Sequence, residues 1–371
     1  MNPFIIKGYA GPDYFCDREA ETERIIGAIS NQRNLTLVSL RKMGKTGLIY
    51  HIFHQIDQKK YDTVYFDIFD TDNLNGFINR FASAMLSLKK SFSEKLIDFI
   101  GSFRYIRPVI SVDPLSGLPS ASFKISSEEE ARHTIGDLFS LLTEKSREKP
   151  IILAIDEFQQ ITKYPESNVE AVIRSHIQQM QQVSIIFSGS NKSLLGQIFA
   201  NPSRPFYQST EMMYLEEISQ ESYIDFIIRT FLNNQVKISR EVVSEILEWA
   251  KTHTYYVQFC CNSLFDKGYS EITKNETAAI FQQILADNAP FYFEFRNLLT
   301  HHQWQLLKAI AKENGAKNIT SAAFIRLYDL NSASTIKRGI DSLLDKELIY
   351  KSREEYFIQD VFFSRWLEFQ N

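Results

Sequence analysis

A parallel α/β sheet sandwiched by helices, then an all-helical segment, then three helices closed by a two-stranded ribbon: this is the architecture the sequence predicts. Three observations carry it. The apolar runs "LTLV", "IILAI" and "SIIF" are continuous rather than alternating and are separated by segments with helical spacing, as expected of parallel strands covered on both faces. Strand signals then fade between about 219 and 298. From 300 onward three amphipathic stripes precede "LIYKSREEYFI", two strands around a polar turn, which is the outline of a winged helix.

In chain order, "LTLVSL" (35–40) is a short buried strand that runs into a loop, and "GLIYHIFHQI" is the helix after it. "DTVYFDIFD" (62–70), rich in β-branched and aromatic residues, is a strand, and "NGFINRFASAMLSL" onward is a helix. Alternating runs on either side of "DPLSGLP" predict a hairpin inserted at about 107–125. Ser127 and Glu130 have capping-box spacing and open the helix through "LFSLLTEK". "PIILAIDE" (150–157) and "VSIIFSGS" (183–190) are buried strands, and "MMYLEEI" (212–218) is a weaker one. Thr300 and Gln303 form a second capping box, with Trp304, Leu307, Ile310 and Ala311 on one helix face. "TSAAFIRLYDL" is a second helix, and Ile336, Ile340, Leu343 and Leu344 stripe a third. The expected domains are 1–218, 219–298 and 299–371.

Composition narrows the function classes. The 371 residues are 44% hydrophobic and 23% charged, so a packed core is expected and global disorder is not. A net charge of −4 argues against wrapping the whole molecule in nucleic acid. No apolar run approaches the ~20 residues that cross a bilayer, and the first residues lack a secretion signal, so no membrane partner is expected. Three cysteines, two of them adjacent (Cys260 and Cys261), give neither a disulfide framework nor a metal site and are read as buried thiols of a reducing, cytoplasmic protein.

"SLRKMGKTGL" (39–48) carries the chemistry. The phosphate-loop pattern is G-x-x-x-x-G-K-[ST] between a strand and a helix; Gly44, Lys45 and Thr46 match it, and Ser39 stands at the first glycine. Gly44 lets backbone N–H groups approach phosphates, Lys45 sets a cation at the β/γ-phosphates, and the Thr46 hydroxyl is the candidate Mg²⁺ ligand. Ser39 preserves the loop if its backbone is ordinary. "PIILAIDEF" sets Asp156 and Glu157 at the carboxyl end of a buried strand, where open α/β sheets bind ligands. Asp156 is the candidate metal residue, and Glu157, with Lys45, the candidate catalytic pair. Ser188, Ser190 and Asn191 end another strand and are candidates to sense the γ-phosphate. "NKSL" has Leu194 where a guanine-reading motif needs aspartate, which favours adenine.

With these elements the chain resembles a STAND-class, AAA-related archaeal-type P-loop ATPase with a C-terminal winged helix. The resemblance implies a P-loop NTPase sheet, a helical lid over 219–298, and the cofactors ATP and Mg²⁺. It adds an F-x-x-R-E-x-E element near the adenine, matched by Phe15, Arg18, Glu19 and Glu21 beside Asp17, and a basic pair, Arg41 and Lys42, in the loop. The nucleotide contacts it implies are Arg41, Lys42, Met43, Gly44, Lys45, Thr46, Gly47, Arg18 and Ser190. The family's Gly-x-Pro lid turn is replaced here by "THTYYVQF". Arg204, in "SRPFYQ", is either an arginine finger for a neighbour or a structural Arg. A nuclease-like domain found in some relatives is not expected after Asn371.

From Thr300 onward ten Lys/Arg face nine Asp/Glu, and Lys337 and Arg338 on the third helix are followed by Asp341 and Asp345. Such a balanced face supplies little phosphate neutralisation. His301, His302 and "DVFFSRWLEF" are read as cap and core. The expected function is therefore a slow Mg-dependent ATPase that acts as a switch, with its winged helix docking a protein partner or a second copy of the chain. A DNA-binding regulator with a nucleotide sensor and a non-hydrolysing ATP-binding scaffold are the alternatives.

Overall fold

The structure is a computed structural model that describes residues 1–86, 109–112 and 119–370. The chain forms two compact units, one of Gly8–Glu216 and one of Met1–Lys7 with Glu217–Asn371.

In the first unit a five-stranded parallel sheet runs β2-β5-β6-β1-β7. Its strands are β1 (Leu35–Val38), β2 (Asp62–Asp67), β5 (Ile151–Asp156), β6 (Val183–Gly189) and β7 (Glu211–Tyr214). The helices are α1 (Glu19–Ser30), α2 (Lys45–Gln55), α3 (Leu74–Leu86), α4 (Glu128–Glu148), α5 (Val169–Ile177) and α6 (Lys192–Ala200). The continuous apolar runs have a direct cause. On β5, Ile151, Leu153 and Ile155 enter one core with α3 to α6, while Ile152 and Ala154 enter another with α1 and α2. A strand whose two faces both meet oil has no reason to alternate.

β3 (Val109–Val112) pairs antiparallel with β4 (Pro119–Ser122) in the span expected to hold the inserted hairpin. The turn expected there, and the continuation of α3 past Leu86, lie outside the described residues. At α4, Ser127 accepts from Glu130 N at 3.2 Å, but the Glu130 carboxylate returns to Ser126 N at 2.7 Å rather than to the cap residue.

The second unit begins with α7 (Gln220–Asn233), α8 (Arg240–Trp249), α9 (Thr254–Asp266) and α10 (Lys274–Asn297). Contrary to the strand-free expectation for 219–298, β8 (Lys237–Ile238) and β9 (Glu271–Ile272) pair in parallel. Two residues each, directly ahead of the caps Ser239 and Thr273, are too short to leave a periodic signal. The sequence reading starts the first domain at residue 1, whereas residues 1–7 lie with this helical unit. The Phe4 ring packs at a tilt against Phe231 with centroids 4.6 Å apart, and Asn2 donates to Asn262 O.

The winged helix follows: α11 (His301–Glu313), α12 (Ala322–Leu327), α13 (Ala333–Asp345), β10 (Ile349–Ser352) and β11 (Glu355–Ile358). The capping box at α11 is complete, with Gln303 N to Thr300 Oγ1 at 3.3 Å and Thr300 N to Gln303 Oε1 at 3.0 Å. His301 and His302 are exposed rather than core, because they occupy the solvent side of that first turn. A last helix, α14 (Val361–Glu368), buries Phe362, Phe363, Trp366 and Leu367 against α8 to α11. Arg365 on α14 caps α8, donating to Glu248 O and Trp249 O at 2.9 Å each.

Beside it, Lys251 donates to Ser364 Oγ at 3.1 Å. Burial first, then the Arg365 charge, pulls its pKa from 10.5 down to about 8, against Glu368. A base whose folded pKa is lowered penalises the fold while protonated, so stability should rise as pH climbs from about 8 toward 10.5. Thermal melts of wild type should show that rise, and Lys251→Met should flatten it.

All three cysteines are buried and lie outside any disulfide. Among the described residues no helix is long and apolar enough to cross a membrane.

Candidate functional site

The chain leaves β1 at Val38, loops over 39–44 and enters α2 at Lys45, so the loop crowns the carboxyl edge of the sheet. Two residues make the turn. Lys42 has φ +63° and Gly44 φ +93°, and the latter is the N-cap of α2. Left-handed backbone at Gly44 is where a glycine is needed. Ser39 is not among the residues with positive φ, so the missing glycine was not required for conformation. Its hydroxyl instead donates to Leu40 O at 2.8 Å and accepts from Lys45 Nζ at 3.2 Å. Gly47 has room to spare: a Cβ there would meet only Phe15 Cε2, at an ordinary 3.7 Å. Met43 is buried beneath the loop, and the Arg41 guanidinium lies 5.0 Å over the Phe69 ring.

Lys45 is 5% exposed, yet its ammonium touches only neutral oxygens, Ser39 Oγ and Leu40 O at 3.3 Å. It has no ion pair among the described residues. Burial lowers its pKa, while the more distant Glu157 and Asp156 oppose that shift. A buried ammonium whose hydrogen-bond partners are neutral oxygens, with a helix N-terminus beside it, suits an anion.

Asp156 lies 3% exposed at the end of β5 with four donors. Thr46 Oγ1 (2.8 Å) and Tyr65 OH (2.9 Å) bind Oδ2, while Ser188 Oγ (2.5 Å) and Glu157 N (3.0 Å) bind Oδ1. The loop threonine and the strand-end acid, far apart in sequence, are thus in direct contact. Glu157 takes φ +55° as the chain turns off the strand, and its Oε2 accepts from Ser190 Oγ at 2.7 Å. Ser190 therefore joins the acids. Ser188 faces Asp156 instead of an open site, and Asn191 caps α6 by accepting from Leu194 N.

Two further arginines are held by ion pairs. Arg18, 5% exposed with φ +81°, is ion-paired with Glu21 at 2.6 Å and donates to Glu216 O at 2.6 Å. Arg204 is ion-paired with Glu170 on α5, the structural alternative for that residue. Three neighbours of the acids escaped sequence reasoning. Asp67 pairs in register with Asp156 on the adjacent strand, and Tyr65 shares its face of β2; the alternation in "DTVYFD" held that signal. The Asp67 carboxyl is raised to about 6, by partial burial first and then by the charges of Asp156, Glu157 and Asp70. The third, Gln159, donates to Glu157 from the short helical turn Phe158–Lys163, and nothing in the sequence marks it.

A family model described as an ATPase domain predominantly from Archaea matches residues 15–258, and one described as a probable winged helix domain matches 290–369. A search of curated protein sequences gave no match. Among solved structures, a Walker-type ATPase of Pyrococcus abyssi superposes with TM-score 0.67 at 16% identity, over 98% of this chain and 99% of that one. The Aeropyrum pernix ORC2 protein, in ADPNP–ADP complexes, gives 0.59 at 11% identity over 99% and 96%. The Aeropyrum pernix ORC1 protein, in complex with DNA, gives 0.54 at 13% over 96% and 93%. At these identities the likeness is one of fold.

Proposed function

The chain belongs to the family of ATPase domains found predominantly in Archaea, and from that premise we propose that it binds ATP with Mg²⁺, hydrolyses it slowly, and uses the nucleotide state as a switch that governs docking of its winged helix on a protein partner. The observation that carries the reading is Lys45: a buried ammonium with no ion pair among the described residues, at a helix N-terminus, would be stabilised by a polyphosphate. Arg41, Lys42, Met43, Gly44 and Gly47 would line the phosphates with backbone and side-chain donors. Arg18 would shape the adenine end from its fixed place beside Glu21.

The donor set also suits magnesium. Among the described residues no three His, Cys, Asp or Glu are grouped to cage a metal, which agrees with an ion held by phosphates, waters and one or two protein oxygens. Thr46 and Asp156 would provide those oxygens. When bound, the ion neutralises charge that develops on the phosphates. Glu157 would take the proton of the attacking water, and Ser190 would report the γ-phosphate to the same carboxylate. The STAND assignment rests on the Phe15, Arg18, Glu19, Glu21 element and the appended helical modules.

For the winged helix a protein partner is favoured over DNA. Two of its cations are already paired, Lys351 of β10 with Glu354 at 3.4 Å and Lys317, in the loop after α11, with Glu355 at 2.6 Å. The test is calorimetry with Mg·ATP. Wild type should bind, and Lys45→Ala should weaken binding at least about 100-fold, roughly 3 kcal/mol. Equal affinity in the two proteins, or no binding by wild type, would end this reading.

A further inference from the structure

We propose that Gln159 is a positioning residue for Glu157: together with Ser190 it clamps one carboxylate oxygen, leaving the other to meet the attacking water. The inference rests on the ATPase reading above. Oε2 of Glu157 accepts from Gln159 Nε2 at 2.5 Å, from Ser190 Oγ at 2.7 Å and from Ser190 N at 3.3 Å. Three donors on a single oxygen fix the plane of the carboxylate as well as its position.

The amide has no freedom in this arrangement. An ionised carboxylate only accepts, so Gln159 must present its NH₂ side to Glu157. That choice turns Oε1 into a buried place where it has no hydrogen-bond partner among the described residues, on a side chain that is 5% exposed. Leaving a buried acceptor unsatisfied costs stability. A residue kept there for packing alone would be apolar, with nothing to orphan. What the amide adds is its donor.

Gly189 supplies the space. It is not among the residues with positive φ, so its backbone does not call for glycine. A Cβ there, however, would overlap Gln159 Oε1 outright and press on Leu195 Cδ1 at 3.0 Å. Its neighbours on the strand end both serve the acids, Ser188 on Asp156 and Ser190 on Glu157, and the glycine between them is the slot into which Gln159 lies. One device results: an amide two residues beyond the carboxylate it orients, and the gap on another strand end that admits it.

The experiment measures kcat, Mg·ATP affinity and melting temperature for wild type, Glu157→Gln, Gln159→Met, Gly189→Ala and the Gln159→Ala, Gly189→Ala double variant. Gln159→Met keeps the length of the side chain and removes the donor. It should lose about 100-fold in kcat, since small misplacements of a catalytic group cost that much, with affinity unchanged and a melting temperature no lower than wild type, because the orphaned acceptor is gone. Gly189→Ala should fall comparably, and the double variant should fall no further than the single ones. Three results would overturn the proposal: kcat of Gln159→Met within about twofold of wild type while Glu157→Gln is inactive; a faster Gln159→Met; or a kcat loss matched by equal losses of affinity and stability. Wild type without turnover would overturn the ATPase reading along with it.

Discussion

Glu157→Gln should leave ATP bound and lower its turnover by about 10²–10⁴-fold, the range that a positioned general base contributes. The substitution keeps the size of the side chain, and the amide oxygen still accepts from Ser190 Oγ and Gln159 Nε2, so the local frame survives. What disappears is the ability to take a proton. Asp156, the neighbouring acid, would be committed to the magnesium ion in this reading, its carboxylate held in place by Thr46, Tyr65, Ser188 and the Glu157 amide. Asp67 sits one strand away, in register with Asp156 rather than with Glu157. Single-turnover measurements beside equilibrium binding separate the two effects. Turnover equal to wild type would remove Glu157 from the chemistry and favour a scaffold that holds nucleotide without consuming it. Repeating the assay at several protein concentrations would reveal any dependence on a neighbouring subunit; within the chain, Arg204 is already committed to Glu170.

The parallel sheet was legible because its strands are buried on both faces, so each leaves an unbroken apolar run. "IILAI" is the clearest, since its alternate residues feed two separate cores. The phosphate loop was legible because it is local, with one glycine, one lysine and one threonine between a strand and a helix. The contact between Thr46 and Asp156 could be anticipated only from topology, since strand order decides which distant strand ends meet. Gln159 and Gly189 were not legible at all. Their relation is one of shape, an amide lying against a missing Cβ, and no periodicity encodes that. The strands β8 and β9 were missed for a different reason, as a two-residue ladder is shorter than any repeat that could announce it.

The same limit hid α14. "VFFSRWLE" spans eight residues, shorter than the window in which helical periodicity declares itself, although Phe362, Phe363 and Trp366 share one buried face. Phe363 is its centre. It is 1% exposed, with ring centroids 5.0 Å from Tyr292 and 5.2 Å from Phe295 on α10, and 6.2 Å from Trp304 on α11. One ring therefore touches both α10 and the winged helix. Phe363→Ala should cost about 3–5 kcal/mol, the usual penalty for emptying an aromatic site in a core, and lower the melting temperature by roughly 10 °C. Arg365→Ala removes two hydrogen bonds to the end of α8 without opening a cavity, so its cost should be smaller, about 1–3 kcal/mol. That ordering distinguishes a helix held by packing from one held by its cap. A Phe363→Ala protein within about 0.5 kcal/mol of wild type would mean that α14 is dispensable. The winged helix would then be free of the lid, and a switch that works through the lid would need another route to its partner-docking face.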